Sequence, residues 1–407
     1  MSDGLVIIGG SYAGLQIATS ARDFGYQESI RIVSDEAFLP YHRPPLSKGW
    51  LTGKVSIDNL PIRGESFYRT HAIDVILSSR VESIDRATRT ILLASGDRLG
   101  YDRLAFATGA RPRPLRLPGG ELDGVVVLRS LADAQALAEG AQGAQQVVVI
   151  GAGFIGLEVA ASLVSLGKQV TVIEAQDRVL ARAVSPTLST LLGDLHVGYG
   201  VRLITHGQVS AIEGDGKRVR SVLCGDGERL PADLVLVGIG ALPNSELAEA
   251  SGLACGNGIV VDALAATQDP LIVAAGDCAL HPNPHAKDMI RLESVQNATD
   301  QAKTAAATLV GRVQPYEAVP WFWSDQYDVK LQMVGLSQGA DRVVLRGIPE
   351  NRKFSLYHFR NGAIIAVDSI NAPADHMVGR KLIAAKAGLS PEQAADLGFD
   401  LKSLLAI

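Results

Sequence analysis

The sequence predicts an α/β fold in which two doubly wound parallel sheets are accompanied by an α+β C-terminal domain. A strand, a glycine turn, a helix and a second strand follow one another in LVIIGGSYAGLQIATSARDFG and SIRIVSDE. The same order returns in QVVVIGAGFIGLEVAASLVSLG and QVTVIEA. Each copy has apolar strands, small residues that open the helix and an acid that ends the second strand. This is the βαβ pattern of dinucleotide-binding sheets.

The segment after Pro315 has a different pattern. The short runs WFWSDQ, KLQMVGL, RVVLRG, KFSLYHF and AIIAVDS read as strands between turns, and helical stretches follow around HMVGRKLIAAKAG and SPEQAADLG. The segment carries no nucleotide-binding glycine turn, so we expect an α+β domain here.

Composition narrows the function classes. The 407 residues are 47% hydrophobic and 20% charged, which is enough apolar material for two or three cores. The net charge of -5 argues against nucleic acid or an anionic membrane as the main partner. The N-terminus shows no basic leader, and no apolar run approaches the ~20 residues of a membrane helix. We expect a soluble, cytoplasmic protein.

The cysteines and histidines do not suggest a metal site. Cys224, Cys255 and Cys278 lie far apart, without metal-ligand spacing, and are expected to be ordinary thiols in a reducing compartment. His281 and His285 are four residues apart, but the prolines around them break any helix that would direct both at one ion. We predict no metal.

The second glycine turn is a complete GxGxxG. Gly151 makes the tight turn, Gly153 allows close approach of a pyrophosphate, and Gly156 brings the helix against the strand. Glu174 ends the next strand, where its carboxylate would bind a ribose 2′-hydroxyl and repel a 2′-phosphate, which favours NADH over NADPH. The nearby Arg178 and Arg182 oppose that preference. The predicted NAD site comprises Gly151, Gly153, Ile155, Gly156, Glu174 and Gly240.

The first glycine turn, GGSYAG, leaves two interpretations open. Gly9 and Gly14 fit a dinucleotide turn in which Ser11 replaces the middle glycine, and Asp35 closes the second strand at the offset of a ribose-binding acid. The same letters come close to the GxSxG elbow of hydrolases. A hydrolase elbow would carry glycine instead of Ala13 and would follow several earlier strands. The context therefore favours the nucleotide, and two nucleotides in one chain suggest a redox relay of flavin and nicotinamide.

Longer stretches resemble the FAD-dependent, NADH-using ferredoxin reductases, the group that includes putidaredoxin reductase and the reductases of ring-hydroxylating dioxygenases. The matching stretches are LPYHRPPLSKGWL, LAFATGARPRPL, VLRSLADA, VIGAGFIGLEVAASL, VGIGALPN, DPLIVAAGDCA, RLESVQNATDQA and PWFWSDQ. They extend over nearly the whole chain. RPPLSK, ESVQNA and PWFWSDQ are far more specific than the glycine turns.

This resemblance implies the glutathione reductase fold, with an FAD domain split around an inserted NAD domain. The expected division is 1–113 for the first part of the FAD domain, 114–242 for the NAD domain, 243–316 for the second FAD part and 317–407 for the C-terminal domain. In this frame Gly9, Ala13 and Gly14, with Ser11 between them, would hold the FAD pyrophosphate. We expect Asp35 at the adenosine ribose, Arg43 and Lys48 near the flavin, Val81 near the adenine, Arg129 at the phosphates, Asp277 at the ribityl chain or phosphate, Val295 at the isoalloxazine and Trp323 at the flavin edge.

Simple physical arguments support some of these roles and leave others open. A cation at Lys48 would favour the reduced, anionic flavin, although a lysine is also commonly a solvated surface charge. Glu158 would pair with Lys48 or with the nicotinamide amide, unless it is only a charge on the helix surface. Trp321 and Trp323 fit a flavin contact and a simple aromatic core equally well. Lys48 and Glu158 are the predicted catalytic residues.

The stretch PYHRPPLSKGWL contains no cysteine, whereas relatives of this fold that reduce disulfides or peroxides carry thiols beside the flavin. Without a thiol, electrons cannot leave through a dithiol or a sulfenic acid. The predicted reaction is therefore hydride transfer from NADH to FAD and single-electron transfer to a [2Fe-2S] ferredoxin that serves a cytochrome P450. Docking would be weak and electrostatic, with Lys303 and Arg291 as candidate contacts.

Other functions stay open on the sequence alone. A reductase of a Rieske dioxygenase, a rubredoxin reductase and an NADH oxidase share the fold and differ in the electron acceptor. A redox-sensing binding protein that resembles the apoptosis-inducing-factor flavoproteins would carry a long basic insertion in the C-terminal domain, and no such insertion is evident.

Overall fold

A computed structural model of the chain describes residues 3–405. Its helices are α1 (Tyr12–Asp23), α2 (Glu65–Thr70), α3 (Leu131–Gly143), α4 (Phe154–Ser165), α5 (Pro186–Gly198), α6 (Glu246–Ala250), α7 (Val295–Leu309), α8 (Pro373–Ala384) and α9 (Pro391–Ala395). Short 3-10 helices lie at Pro44–Ser47, Ile57–Asn59, Pro349–Asn351 and Leu401–Leu405.

The strands fall along the whole chain. The first half contains β1 (Leu5–Ile8), β2 (Ile30–Val33), β3 (Ile73–Ile76), β4 (Val81–Asp85), β5 (Thr90–Leu93), β6 (Arg98–Gly100), β7 (Arg103–Phe106), β8 (Ala110–Pro112), β9 (Val125–Val126), β10 (Gln146–Ile150), β11 (Gln169–Ile173), β12 (Arg202–Ile204) and β13 (Val209–Asp215). The second half contains β14 (Arg218–Cys224), β15 (Arg229–Pro231), β16 (Leu234–Val237), β17 (Ala241–Pro243), β18 (Cys255–Gly256), β19 (Gly258–Val260), β20 (Ile272–Ala274), β21 (Ala279–Pro282), β22 (Met289–Ile290), β23 (Trp321–Gln326), β24 (Val329–Gly335), β25 (Arg342–Ile348), β26 (Lys353–Arg360) and β27 (Ala363–Ile370).

The first parallel sheet has the order β20-β7-β1-β2-β3 and contains the first glycine turn at the end of its central strand. The four residues of β1 are all buried, as expected for a strand that is covered on both faces. Leu5 and Ile7 pack with α1 and α7, whereas Val6 and Ile8 pack into the cluster on the opposite face. This alternation fixes the register of the strand.

The second parallel sheet has the order β12-β11-β10-β16-β9 and places the second glycine turn at the end of β10. The antiparallel sheet β13-β14-β15 packs against one of its faces through Ile212, Val219 and Val222. The two connections between the parallel sheets lie side by side, because β8 and β17 pair antiparallel. The predicted boundaries after residues 113 and 242 fall at these paired segments, and the domain division stays a prediction.

The C-terminal segment forms an antiparallel sheet with the order β23-β24-β27-β26-β25, packed on one face against α8. Its five strands and two helices coincide with those predicted from the sequence. With the two doubly wound sheets, this confirms the predicted fold class. Within residues 3–405, no helix is long and apolar enough to cross a membrane, and no three His, Cys, Asp or Glu side chains cluster as a metal site.

Candidate functional site

The first glycine turn has the backbone of a phosphate-binding turn. Gly9 has a φ of 118°, and a Cβ on it would lie 2.1 Å from the carbonyl oxygen of Ala107. A Cβ on Gly14 would lie 2.0 Å from the carbonyl oxygen of Gly9. Only glycine fits at either position, because these close approaches exclude a Cβ, and at Gly9 the positive φ excludes one as well. The turn therefore brings the start of α1 directly over the end of β1.

Ser11 is accommodated without backbone strain. It is the N-cap of α1 at φ -136° and ψ -156°, an extended conformation open to any residue, and its side chain does not cap the helix. Its Oγ instead accepts a hydrogen bond from Nε of Arg43 at 3.2 Å. The neighbouring imidazole of His42 bonds the hydroxyl of Tyr12 at 2.7 Å. Ser11 is thus held by a guanidinium, and this contact does not favour the nucleophile interpretation.

The second glycine turn repeats this geometry with an open middle position. Gly151 has a φ of 102°, and a Cβ on it would lie 2.4 Å from the carbonyl oxygen of Gly238. A Cβ on Gly156 would lie 2.2 Å from the carbonyl oxygen of Gly151. At Gly153, the N-cap of α4, a Cβ would meet no atom within 4 Å, so the helix start faces open space. Ile155, next on the helix, is 45% exposed.

Within residues 3–405, neither turn provides a side-chain cap for the helix that follows it. The N-cap side chains of α3 and α7, Ser130 and Ser294, accept backbone N–H groups of their own helices. The N-caps Ser11 and Gly153 make no such bond. Free N–H groups and the helix dipole together attract an anion. The two turns therefore fit the pyrophosphates of two dinucleotides.

A charged cluster surrounds the first turn. Arg43 pairs with Glu36 and donates to the carbonyl oxygen of Arg129 at 2.8 Å, and Nη2 of Arg129 lies 2.8 Å from Oδ2 of Asp277. Tyr41 also donates to Glu36. Burial disfavours the charged form of Arg43, but Tyr41 and Glu36 outweigh it and raise the pKa of the guanidinium above its ordinary value. A permanent positive charge is thus held at the serine of the turn.

The acids after β2 have separate environments. Asp35, the predicted ribose ligand, is exposed, whereas the neighbouring Glu36 is half-buried in the cluster with Arg43. Glu36 was not among the residues predicted from the sequence, although two adjacent acids at the end of β2 were a signal for it. Both lie at the end of the strand where a ribose-binding acid belongs.

Lys48 and Glu158 meet in the interior. The Nζ of Lys48 lies 2.5 Å from Oε2 of Glu158, and their side chains are 20% and 3% exposed. Ser47 donates to the same oxygen at 2.6 Å, and Ser324 donates to Oε1 at 2.7 Å. The 3-10 helix Pro44–Ser47 presents Lys48 to α4, and β23 closes the other side. The structure thus pairs Glu158 with Lys48 and does not place it as a charge on the helix surface.

The acid of the second turn secures the turn itself. Oε2 of Glu174 accepts the amide of Ala152 at 2.8 Å, and Oε1 accepts the amide of Gln176 at 2.9 Å. The guanidinium of Arg178 donates to the carbonyl oxygens of Val184 and Ala181, at 3.0 and 2.7 Å. Two nitrogens of Arg178 are thus hydrogen-bonded to carbonyl oxygens of the loop that contains it.

The exposed Arg182 also lies close to the second turn. Its Nη2 lies 3.6 Å from the position of a Cβ on Gly240, whose φ is 104°. Unlike Arg178, this exposed guanidinium can therefore reach a ligand beside the turn.

The remaining predicted residues lie on several elements. Asp277 follows β20, and Val295 is the first residue of α7. Val81 begins β4 and packs against the core beside the first sheet. Trp323 lies in β23, half-buried, with its ring centroid 5.6 Å from that of Trp321. Trp321 in turn packs into the C-terminal core.

The two candidate docking cations differ in accessibility. Lys303 is 47% exposed and pairs with Asp300. The side chain of Arg291 is only 8% exposed, pairs with Glu293 at 2.7 Å and donates to the carbonyl oxygen of Asp277. Its burial departs from the expectation of a docking cation, because a paired, buried guanidinium presents little charge to a partner. Arg291 instead stabilises the backbone at Asp277 through its hydrogen bond to the carbonyl oxygen of that residue.

Comparisons with known proteins agree with this geometry. The family model described as pyridine nucleotide-disulphide oxidoreductase matches residues 3–302, and the model described as reductase C-terminal matches residues 321–405. Rhodocoxin reductase from Rhodococcus erythropolis is 44% identical over 402 residues, which cover 99% of this chain and 94% of that protein.

Two solved structures are similar over almost their full lengths. The ferredoxin reductase for the CYP199A2 system from Rhodopseudomonas palustris has a TM-score of 0.97 and 46% identity, with 100% of both chains covered. The covalent putidaredoxin reductase-putidaredoxin complex has a TM-score of 0.96 and 40% identity, covering 99% of this chain and 98% of that one. The chain therefore belongs to the pyridine nucleotide-disulphide oxidoreductase family, within its group of ferredoxin reductases.

Proposed function

We propose that this chain takes hydride from NADH onto FAD and passes single electrons to a [2Fe-2S] ferredoxin of a cytochrome P450 system. The observation that carries the proposal is the ion pair of Lys48 and Glu158, which joins the unit of the first glycine turn to the helix that follows the second. FAD supplies the conversion between a two-electron hydride donor and a one-electron iron–sulfur acceptor.

The chain's own residues then bind and orient the two nucleotides. The turns at Gly9 and Gly151 hold the pyrophosphates with their free helix amides, and Glu174 accepts a ribose hydroxyl. Lys48 would present its ammonium to the flavin, where it would favour the reduced ring, and Glu158 would fix its position through their ion pair. The same proposal retains the division into 1–113 and 243–316 for FAD, 114–242 for NAD and 317–407 for the C-terminal domain.

The comparisons support this choice of acceptor. One similar structure is described as the reductase for the CYP199A2 system, and another was solved in covalent complex with putidaredoxin. All three cysteines are free thiols, of which Cys224 and Cys278 are buried. Burial raises the pKa of the Cys278 thiol and so disfavours the reactive thiolate. We place the protein in the cytoplasm, where free thiols are maintained.

The function is tested with the purified, FAD-loaded protein in a stopped-flow spectrometer without oxygen. NADH should bleach the flavin spectrum, and a [2Fe-2S] ferredoxin added afterwards should restore it within the turnover time. Rubredoxin and dissolved oxygen serve as the competing acceptors in parallel runs. Faster reoxidation by rubredoxin or by oxygen alone would replace the proposal with a rubredoxin reductase or an NADH oxidase, and protein without flavin absorbance would overturn it entirely.

The enzyme should prefer NADH, and Glu174→Gln should reduce that preference about tenfold in kcat/KM. The glutamine oxygen can still accept the amide of Ala152, which lies in the turn, whereas its NH₂ group faces the amide of the exposed Gln176, which water can then bond. The carboxylate that repels a 2′-phosphate is gone. The measurement is kcat/KM for NADH and NADPH with each protein.

Arg182→Gln provides the matched control for this prediction. Arg182 is exposed beside Gly240, whereas Arg178 is engaged by backbone carbonyls, so Arg182 is the cation able to attract a 2′-phosphate. Its removal should increase the NADH preference. An unchanged ratio for Glu174→Gln would mean that this carboxylate does not face the ribose.

Ser11→Gly and Ser11→Ala should both keep the dissociation constant for FAD within about threefold of the original. The serine backbone is unstrained, and Arg43 keeps its contacts with Glu36 and Arg129 when the hydroxyl is lost. The constants are measured by the quenching of FAD fluorescence on addition to the apoprotein. Loss of binding by both variants would instead identify the hydroxyl as an FAD ligand, because each of them lacks it.

A further inference from the structure

A buried chain of hydrogen bonds extends behind Glu158, away from Lys48. Oγ of Ser324 lies 2.7 Å from Oε1 of Glu158, and Nε2 of Gln326 lies 3.1 Å from that Oγ. Oε1 of Gln326 lies 2.9 Å from Nε2 of His196, whose Nδ1 is 3.2 Å from the hydroxyl of Tyr327. Ser324, Gln326 and His196 are at most 1% exposed. The chain links α4 and α5 to strand β23 and the turn after it.

The bonding partners determine which way each group donates. A carboxylate only accepts, so Ser324 donates to Glu158 and its oxygen accepts from the amide nitrogen of Gln326. The amide oxygen of Gln326 then accepts the Nε2–H of His196, which leaves Nδ1 free to accept from Tyr327. Burial lowers the pKa of His196 and raises that of Tyr327, which favours the neutral imidazole and the protonated phenol that this pattern requires.

All donors in the chain therefore point towards Glu158. Hydrogen bonds aligned in one direction polarise and strengthen one another, most of all where water is excluded. The chain of donors holds Oε1 of Glu158, while Oε2 accepts hydrogen bonds from Ser47 and Lys48. The backbone of Ser47 is fixed as well, because its carbonyl oxygen accepts the hydroxyl of Ser162 on α4 at 2.7 Å. The carboxylate is restrained on both oxygens, and the Lys48 ammonium is held where its partly exposed end can face a ligand.

We propose that Ser324, Gln326 and His196 are positioning residues, which set the orientation of Glu158 and through it the place of the Lys48 ammonium beside the flavin. This inference rests on the proposed function. It assigns the C-terminal strand β23 a role in flavin reduction through the hydroxyl of Ser324. If the chain only holds β23 against α4 and α5, its loss would lower stability and leave the flavin chemistry unchanged.

The test compares Ser324→Ala with Ser355→Ala in the FAD-loaded, full-length protein. Ser355 is a matched control because it is equally buried in the same sheet, and its Oγ bonds Oγ of Ser369 at 3.0 Å, outside the chain. Ser324→Ala should lower the rate constant for flavin reduction by NADH about three- to tenfold with KM for NADH unchanged. It should also make the midpoint potential of the flavin more negative, measured by equilibration with a redox dye.

Gln326→Glu is the second variant and keeps the side-chain shape. A carboxylate at this position cannot donate to Ser324, so the hydroxyl of Ser324 turns away from Glu158 and the same two quantities should change in the same direction. Ser355→Ala should change neither quantity. If both chain variants unfold earlier but retain the original rate and potential, the positioning role is excluded. If NADH does not reduce the unmodified protein, the proposed function itself fails, which is a separate result.

Discussion

Glu158→Gln should slow the reduction of bound flavin by NADH about tenfold or more and lower the free energy of unfolding by about 3 kcal/mol. The carboxylate accepts from Ser47, Lys48 and Ser324 within the protein interior. An amide accepts at only one of its two terminal atoms, so the substituted NH₂ group faces a donor, and Lys48 loses its counter-charge. Stopped-flow absorbance measures the rate, and the shift of the urea unfolding midpoint measures the stability.

Glu246→Gln is the control for this effect. Glu246 also forms an ion pair, here with Arg111, but the side chains of Glu246 and Arg111 are 60% and 45% exposed. An exposed pair contributes less than about 1 kcal/mol, so this variant should keep nearly the original stability and the original rate of flavin reduction. Equal behaviour of the two variants would show that the buried pair has no special part in holding Lys48.

The fold was predictable because its signals are local. β1 and the last four residues of β10 are continuous apolar runs buried on both faces, and each is followed directly by a glycine turn and a helix. The short runs from WFWSDQ to AIIAVDS, separated by turn signals, predicted the five strands that the structure contains in the C-terminal segment. In both cases the signal that defines the element is present within a few neighbouring residues.

The candidate site was predictable only in part, because many of its contacts join residues that are distant in sequence. The hydrogen bond from Ser324 to Glu158 joins residues that are 166 positions apart in the sequence, and it depends on how β23 packs on α4. No local pattern shows that alternate residues of β23 turn towards these helices. Glu36 was missed for another reason, since the sequence offers two adjacent acids and only the packing of Arg43 distinguishes them.

The same limit applies to Arg291. A basic residue close to a predicted flavin contact is a reasonable candidate for an acidic partner. Its actual environment is set by Glu293 and by the carbonyl oxygen of Asp277, which together bury its side chain. Exposure is a property of the assembled fold, and neither residue type nor position in the motif determines it.

Gly153→Ala should raise the dissociation constant for NADH about tenfold or more while leaving FAD content and stability nearly unchanged. In the protein itself a Cβ at Gly153 meets no atom within 4 Å, and its φ of -77° is accessible to alanine. The methyl group therefore costs less than about 0.5 kcal/mol in folding. It would occupy the space that a pyrophosphate needs in order to approach the start of α4. The Cβ of Ser11 is no guide to this effect, because the backbone of Ser11 has a φ of -136° and directs its side chain differently. The loss of affinity therefore reports on the ligand alone.

Gly151→Ala separates this effect from damage to the turn. Its Cβ would lie 2.4 Å from the carbonyl oxygen of Gly238 at a φ of 102°, so this variant should unfold the second sheet earlier and lose NADH binding as a consequence. The affinity is measured by titrating the oxidised protein with NAD⁺, which carries the same pyrophosphate as NADH and does not reduce the flavin. Stability is measured by thermal unfolding. Normal nucleotide affinity in Gly153→Ala would mean that no phosphate lies against this residue. The binding site would then have to be sought away from the second turn, because the feature that distinguishes Gly153 from Gly151 and Gly156 is the open space in front of it.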